Sequence, residues 1–311
     1  MFEIIVKSRH YIALIILPAL FILKKISMHK HFFLSLAICL CSQWIAAQVP
    51  DNLGVQLYSF RNEMKKDLEG TLKMVKGMGL TTVETSVFNG KNAAETRQIL
   101  DKAGLKAVSM GVGFDDLAKP EKWDTMVMNA RTLGAKFIMC PWIPHNGTEF
   151  TIEDVKKAAA VFNASGKALK KKGLQLIYHP HGYEFRPYLE NTLLFDYLVN
   201  NTNRKYVNFE MDIYWIKNPG QDPVAWLRKY PKRWKAMHVK DQKKGVPGNQ
   251  NGQSDVEWNV VAGTGSLDLP AIFREAQKIG VEYFFIEDES SHSVEQVPQS
   301  ILYLTPLLKK K

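Results

Sequence analysis

Four short runs in the second half of this 311-residue chain end in side chains that bind metals or move protons. They are Tyr178-His179-Pro180-His181, Phe209-Glu210-Met211-Asp212, Met237-His238-Val239-Lys240-Asp241 and Ile286-Glu287-Asp288. Each closes a stretch rich in β-branched and apolar residues, so each reads as the C-terminal end of a strand. Side chains alternate along a strand. Glu210 and Asp212 therefore share a face, and so do His179 and His181 if the strand runs on through Pro180. Four strands side by side can deliver His179, Asp212, His238 and Glu287 to one mouth. This mixture of imidazole and carboxylate suits Mn, Zn, Co or Fe better than Mg or Ca. A single His or Asp at a strand end is usually a cap or a surface residue; four in register argue for a site. Lys240 shares the face of His238, where it could polarise a carbonyl, or it could pair with Asp241.

These ends need a scaffold, and the chain supplies a regular one. From Leu53 onward a short apolar run alternates with a polar, amphipathic stretch. The expected strands are 53–58, 80–85, 105–110, 135–140, 173–179, 206–212, 234–239 and 282–287. The expected helices are 69–78, 93–103, 122–133, 152–172, 192–200, 223–230, 270–278 and 294–307. Gly79, Gly104, Gly134, Gly173 and Gly280 stand where helices stop and strands start, the place for a left-handed cap. Eight such units predict a single closed (β/α)8 TIM barrel rather than an open sheet. No Gly-x-Gly-x-x-Gly follows the first strand, so a dinucleotide fold lacks its fingerprint.

Two apolar runs, 11–23 and 32–41, precede the barrel, and both are too short to span a bilayer. The second reads as a signal peptide that starts at Met28 and is cleaved before Gln48, with residues 1–27 coming from an upstream start codon. The expectation is an export segment over 1–47, a barrel domain over 48–311, a periplasmic or secreted location, and no membrane span once the signal is removed. The net charge of +10 falls once residues 1–47 are set aside, since they hold five Lys/Arg and one acid. No basic stripe is interleaved with aromatics, which excludes nucleic acid as a partner. Cys39 and Cys41 lie in the export segment. Cys140 is left as a single thiol, expected to be buried and inert.

With these residues in place, the sequence resembles the sugar phosphate isomerase/epimerase family of the xylose isomerase-like barrel superfamily. The stretches that carry the resemblance are Gly54–Arg61, Thr82–Glu84, Tyr178–Phe185, Phe209–Trp215, His238–Asp241 and Ala262–Asp268, in family order. The resemblance implies a bound divalent metal held by His179, Asp212, His238 and Glu287. In family members the strand-five ligand is often a glutamate; here His179 and His181 compete for that place. The resemblance also implies a proton moved through an enediolate, with the metal stabilising the developing charge. Two glutamates often form the acid–base pair. This chain offers Glu287, with His179, His181, Glu184 or Glu84 to serve beside it. A family-typical histidine after strand three is replaced by Ser109-Met110-Gly111.

The expected acid–base group is thus Glu287, His181, Glu184 and Lys240. Gln56, Tyr58, Arg61, Glu84, Trp142, Glu210 and Trp215 are expected to line the substrate pocket, sugars being prone to stack on aromatic faces. Phe88, Tyr214 and Trp258 are further aromatic candidates, and Glu210 could equally be a hydrogen-bond anchor. The long stretch 240–265 reads as a lid. An exported enzyme would rarely meet sugar phosphates, so the expected substrate is an unphosphorylated sugar or glycoside. Three functions stand: a metal-dependent isomerase or epimerase, a metal-dependent lyase of 3-keto-glycosides, and a non-catalytic sugar-binding barrel. A homo-oligomer is compatible with each.

Overall fold

The computed structural model describes residues 48–309. The two apolar runs and the signal peptide expected over 1–47 lie outside the described residues. Eight parallel strands close into a barrel: β1 (Leu53–Gln56), β2 (Thr82–Thr85), β3 (Lys106–Gly111), β4 (Phe137–Cys140), β5 (Gln175–Tyr178), β6 (Val207–Asp212), β7 (Trp234–Val239) and β8 (Tyr283–Ile286). The order is sequential, and β1 closes the ring by pairing with both β2 and β8, through Val55 opposite Val83 and Ile286. The main helices are α1 (Leu68–Gly77), α2 (Ala93–Ala103), α3 (Trp123–Leu133), α4 (Ile152–Lys171), α5 (Leu194–Asn200), α6 (Pro223–Lys229), α7 (Leu269–Ile279) and α8 (Ser293–Leu308).

The glycine stops do what their positions suggested. Gly104 and Gly134 take left-handed backbone conformations after α2 and α3. Leu105 and Ala135 then donate their N–H groups to carbonyls five residues back. That closure satisfies the last helical carbonyls and turns the chain into the next strand.

Burial sorts the strand residues into two layers. The larger apolar core lies between strands and helices and includes Ile138, Leu176, Phe209, Trp234 and Phe284. A separate plug of Phe137, Met139, Ile177, Ala236 and Phe285 fills the barrel axis. By alternation the residues that share the plug's face are Glu84, His179, Glu210, Asp212, His238, Lys240 and Glu287. The axis therefore runs from an apolar base to a charged mouth.

Most element ends shift by a residue or two from expectation, and three of the shifts have a clear local cause. β1 stops at Gln56, because the Gln56 side chain accepts the Tyr58 N–H and starts a 3-10 turn over Leu57–Phe60. β5 stops at Tyr178. The His179 N–H still bonds the Cys140 carbonyl at 3.0 Å, but Pro180 has no N–H to continue the ladder. α5 starts at Leu194 rather than Thr192, since Thr192–Leu193 pairs with Pro187–Leu189. Within 240–265 a small hairpin joins Asp241–Gln242 to Asn259–Val260.

Candidate metal centre

His179, Asp212, His238 and Glu287 are all buried, and one ligand atom of each lies within 4.8 Å of the others. Asp212 caps the short helix Ile213–Lys217. Its Oδ1 accepts from Tyr214 N (2.8 Å) and Trp215 N (3.1 Å), while Oδ2 is buried with no hydrogen-bond partner. That bare oxygen faces His179 Nε2 at 3.6 Å and Lys240 Nζ at 3.7 Å. His179 Nδ1 is taken by Glu210 Oε2 at 3.1 Å. His238 Nε2 faces Glu84 Oε1 at 2.6 Å and Glu210 Oε2 at 3.2 Å, and its Nδ1 faces Glu287 Oε2 at 3.2 Å. Glu210 thus ties the rear nitrogens of both imidazoles, leaving His179 Nε2 and His238 Nδ1 turned toward the carboxylates. Such outer partners fix ring orientation in metal sites. The orphaned Asp212 oxygen, two pre-oriented imidazoles and Glu287 form a buried cluster that could hold a divalent metal, and the residues present fit such an ion.

The charges are tightly balanced. Burial lifts the Asp212 carboxyl to about 6, against the pull of Lys240. Burial and the neighbouring Glu84 hold Glu210 well above the usual carboxylate range. Burial would push Glu287 the same way, but the Lys240 ammonium and His238 bring it well below that range. His238 is raised despite its burial, by Glu210, Glu287 and Glu84. A metal ligand must be a neutral imidazole, so binding an ion here displaces a proton.

The structure revises several expected roles. Of the two histidines that compete for the strand-five place, His179 lies in the cluster, as the expected ligand set had it. His181 packs beside it, ring centroids 4.6 Å apart, and lies between Trp142 (5.4 Å) and Trp215 (5.6 Å). Its Nδ1 is buried without a partner, and burial pushes its pKa down to about 3. Glu84 and Glu210, expected to touch substrate, are fully buried behind the histidines they orient. Gln56 is likewise engaged, donating to Glu84 Oε1 at 2.6 Å. Glu184, expected as an acid–base group, is fully buried. Its carboxylate accepts the Tyr178 hydroxyl and, at 3.1 Å, the His181 backbone N–H. It holds the His181 loop rather than facing the pocket.

Lys240 does not pair with Asp241, because neighbours on a strand point to opposite faces. It binds Glu287 Oε2 and Glu289 Oε1, each at 2.6 Å. Asp241 instead accepts backbone N–H groups of Gln242, Gly263, Gly265 and Leu267, which pins the 240–265 segment. The Arg61 guanidinium donates to the carbonyls of Tyr58 and Glu289 and stacks on the Tyr58 ring at 4.7 Å. Tyr58 and Trp142 are the exposed aromatics at the mouth, 54% and 40% accessible, and Trp215 is buried with its indole N–H unpaired. Tyr214 spends its hydroxyl on Ser254. Cys140 is buried, its thiol pushed up to about 12.

Two residues escaped the sequence reading. His145 stacks on Trp142 at 4.7 Å, with Nδ1 on the Ile143 carbonyl and Nε2 buried and unpaired. Glu289 braces Lys240. Both lie in loops after strand ends, where alternation no longer states a side chain's direction. A cavity of about 450 Å³ opens over the cluster, lined by Gln56, Tyr58, His179, His181, Glu287 and Glu289.

Glu184 gives a pH signature. Burial raises its folded-state pKa from 4.5 to about 7. Its protonated form is favoured in the fold, so the stability it contributes is present below about pH 4.5 and lost as pH rises through about 7. The loss is on the order of 3 kcal/mol. Urea unfolding at pH 5 and pH 8 is expected to show this drop in the parent and a much smaller one in Glu184→Gln. An equal drop in both proteins would contradict the assignment.

Comparison with known proteins is decisive on family. Residues 72–307 match the xylose isomerase-like TIM barrel family. The chain belongs to that family. Among curated relatives, this xylose isomerase-like chain is 33% identical to an inosose dehydratase from Clostridium tetani over 97 residues, 31% of this chain and 32% of the relative. It thus spans about a third of that relative's length. Among solved structures it is similar to a sugar phosphate isomerase/epimerase from Parabacteroides distasonis, with a TM-score of 0.70 and 24% identity, covering 84% of this chain and 96% of that one. It is also similar to the IOLI protein with a bound zinc atom, with a TM-score of 0.61 and 15% identity, covering 82% and 95%. These likenesses show the fold. No helix among the described residues is long and apolar enough to cross a membrane.

Proposed function

We propose that this barrel is a metal-dependent enzyme that removes a proton next to the carbonyl of an unphosphorylated sugar and returns it as a sugar isomerase. The observation that carries this reading is His181, an imidazole on the cavity wall with no partner for its buried nitrogen, beside a cluster fit for a metal. His179, Asp212, His238 and Glu287 would hold the ion, which when bound polarises the sugar carbonyl and offsets charge growing on its oxygen. Burial keeps His181 neutral, so its lone pair is available. As the C–H bond breaks, its electrons form the C=C bond, the former carbonyl oxygen becomes anionic, and the proton moves to His181. That new negative charge increases the proton affinity of the ring. Trp142 and Trp215 flank His181, and Trp142, the exposed one of the two, offers a face for the sugar ring.

The geometry supports one base rather than two. Glu84 is engaged with Gln56 and His238, and Glu287 with Lys240. A single base suits transfer along one face of the sugar, hence isomerisation ahead of two-base epimerisation. Elimination is the second reading. It shares the first step, and the similarity to inosose dehydratase favours it. The segment expected to direct export supports action in the periplasm or outside the cell, away from sugar phosphates.

Product analysis with metal-loaded protein in D2O separates the readings. An isomer of unchanged skeleton carrying solvent deuterium supports isomerisation. Loss of water or of an aglycone supports elimination. No turnover across a panel of free sugars and keto-glycosides contradicts both and favours a sugar-binding barrel.

A further inference from the structure

We propose that the groove beside the metal cavity is a second binding site, built for an aromatic group joined to the sugar, which makes the substrate an aryl keto-glycoside. The groove has a volume of about 480 Å³, enough for a ligand fragment. Its apolar lining comes from Met64 and Leu68 and from Val87 and Phe88 in the loop after β2, beside the polar Thr85, Ser86 and Asn89. It is continuous with the metal cavity, because Gln56, Tyr58 and Ser86 line both. A ligand with its carbonyl beside the histidines would thus extend past Tyr58 toward Met64, Leu68 and Val87.

The details of that junction suit an aromatic group. Tyr58 is more than half exposed, yet Arg61 stacks against its ring and is itself tied to two backbone carbonyls. The exposed ring is therefore held in place, and a fixed aromatic face at a pocket mouth favours stacking of another ring. The charged residues lining the groove are Arg61 and Lys65, with no acid among them. Cations in a groove of mixed polar and apolar lining match the electron-rich oxygen of a phenol or an aromatic carboxylate. A free monosaccharide would leave this surface wet. An aryl aglycone is also a better leaving group than hydroxyl, which weights the balance toward elimination.

This inference rests on the reading that the metal cavity takes a sugar, and the test separates the two. Paired methyl and phenyl 3-keto-glycosides of several hexoses and pentoses are titrated into the metal-loaded parent, into Met64→Arg and into Val87→Arg, with folding checked by circular dichroism. The variants sit on different segments, Met64 in the helix Arg61–Lys66 and Val87 in the loop after β2, so one remains informative if the other fails to fold. The expected result is a preference for the phenyl member of about tenfold or more in the parent, falling to near unity in either variant. Equal affinity for both members in the parent overturns the groove assignment and leaves the sugar reading intact. Binding of no glycoside overturns both. A change of oligomeric state in the variants by light scattering, with no phenyl preference in the parent, would assign the groove to a second copy of the chain and overturn the proposal.

Discussion

Replacing His181 with glutamine is expected to lower kcat by about 10²- to 10⁴-fold, the usual contribution of a positioned general base, while metal content stays at the parent level. The two readouts are separable because His181 lies outside the ligand cluster. His179 is the imidazole whose Nε2 turns to Asp212, and Glu210 and Asp212 hold it there. His181 instead packs against Trp142 and Trp215, with its backbone fixed by Glu184. Glutamine keeps a polar planar group between those rings but cannot take a proton from carbon. A merely structural role would raise KM and melt the loop; a base role lowers kcat and stops exchange of the substrate proton with D2O. Parent-like kcat in the variant, with exchange intact, would remove His181 from the chemistry.

Lys240→Met is expected to move metal-free stability and metal affinity in opposite directions. In the metal-free protein the Lys240 ammonium is the shared counter-ion of Glu287 and Glu289 and lies 3.7 Å from Asp212 Oδ2. It is buried, and these carboxylates raise its pKa against the opposing effect of burial. Breaking a buried pair by removing one partner costs about 3–5 kcal/mol, because the charges left behind lose their neutralising partner. Metal-free Lys240→Met should therefore unfold at lower urea than the parent. A divalent cation then meets an anionic cluster with no resident ammonium, so it should bind more tightly and recover most of the lost stability by mass action. Equal metal-free stability in parent and variant, or weaker metal binding in the variant, would contradict this role for Lys240.

How much of this was legible in sequence follows from what periodicity encodes. The eight strands and the glycine stops are local patterns, and the barrel follows from their repetition. Strand-end position also marked the four residues that gather in the buried cluster, because a period of two states which face a side chain takes. It does not state depth. Glu210 and Asp212 share a face, but they stand about 7 Å apart along the strand. The upper carboxylate reaches the cluster and the lower one braces the histidines from behind. Glu84 was misplaced for the same reason. Pro180 decides between the two histidines: it ends the ladder, so His179 keeps its place on the sheet while His181 leaves with the loop. Glu184 sits in the turn Tyr183–Phe185, where no period predicts direction, and tertiary packing against Tyr178 takes it out of the pocket.

The central claim is that the strand-end cluster holds a divalent metal, and elemental analysis tests it most directly. The measurement uses protein starting at Gln48, incubated with Mn or Zn and desalted, beside an Asp212→Ala and Glu287→Ala double variant. The account predicts about one ion per chain in the parent, as expected of one closed set of ligands, and none retained in a variant that still shows the circular dichroism of the barrel. No metal in the parent, or the same metal content in both proteins, would contradict it.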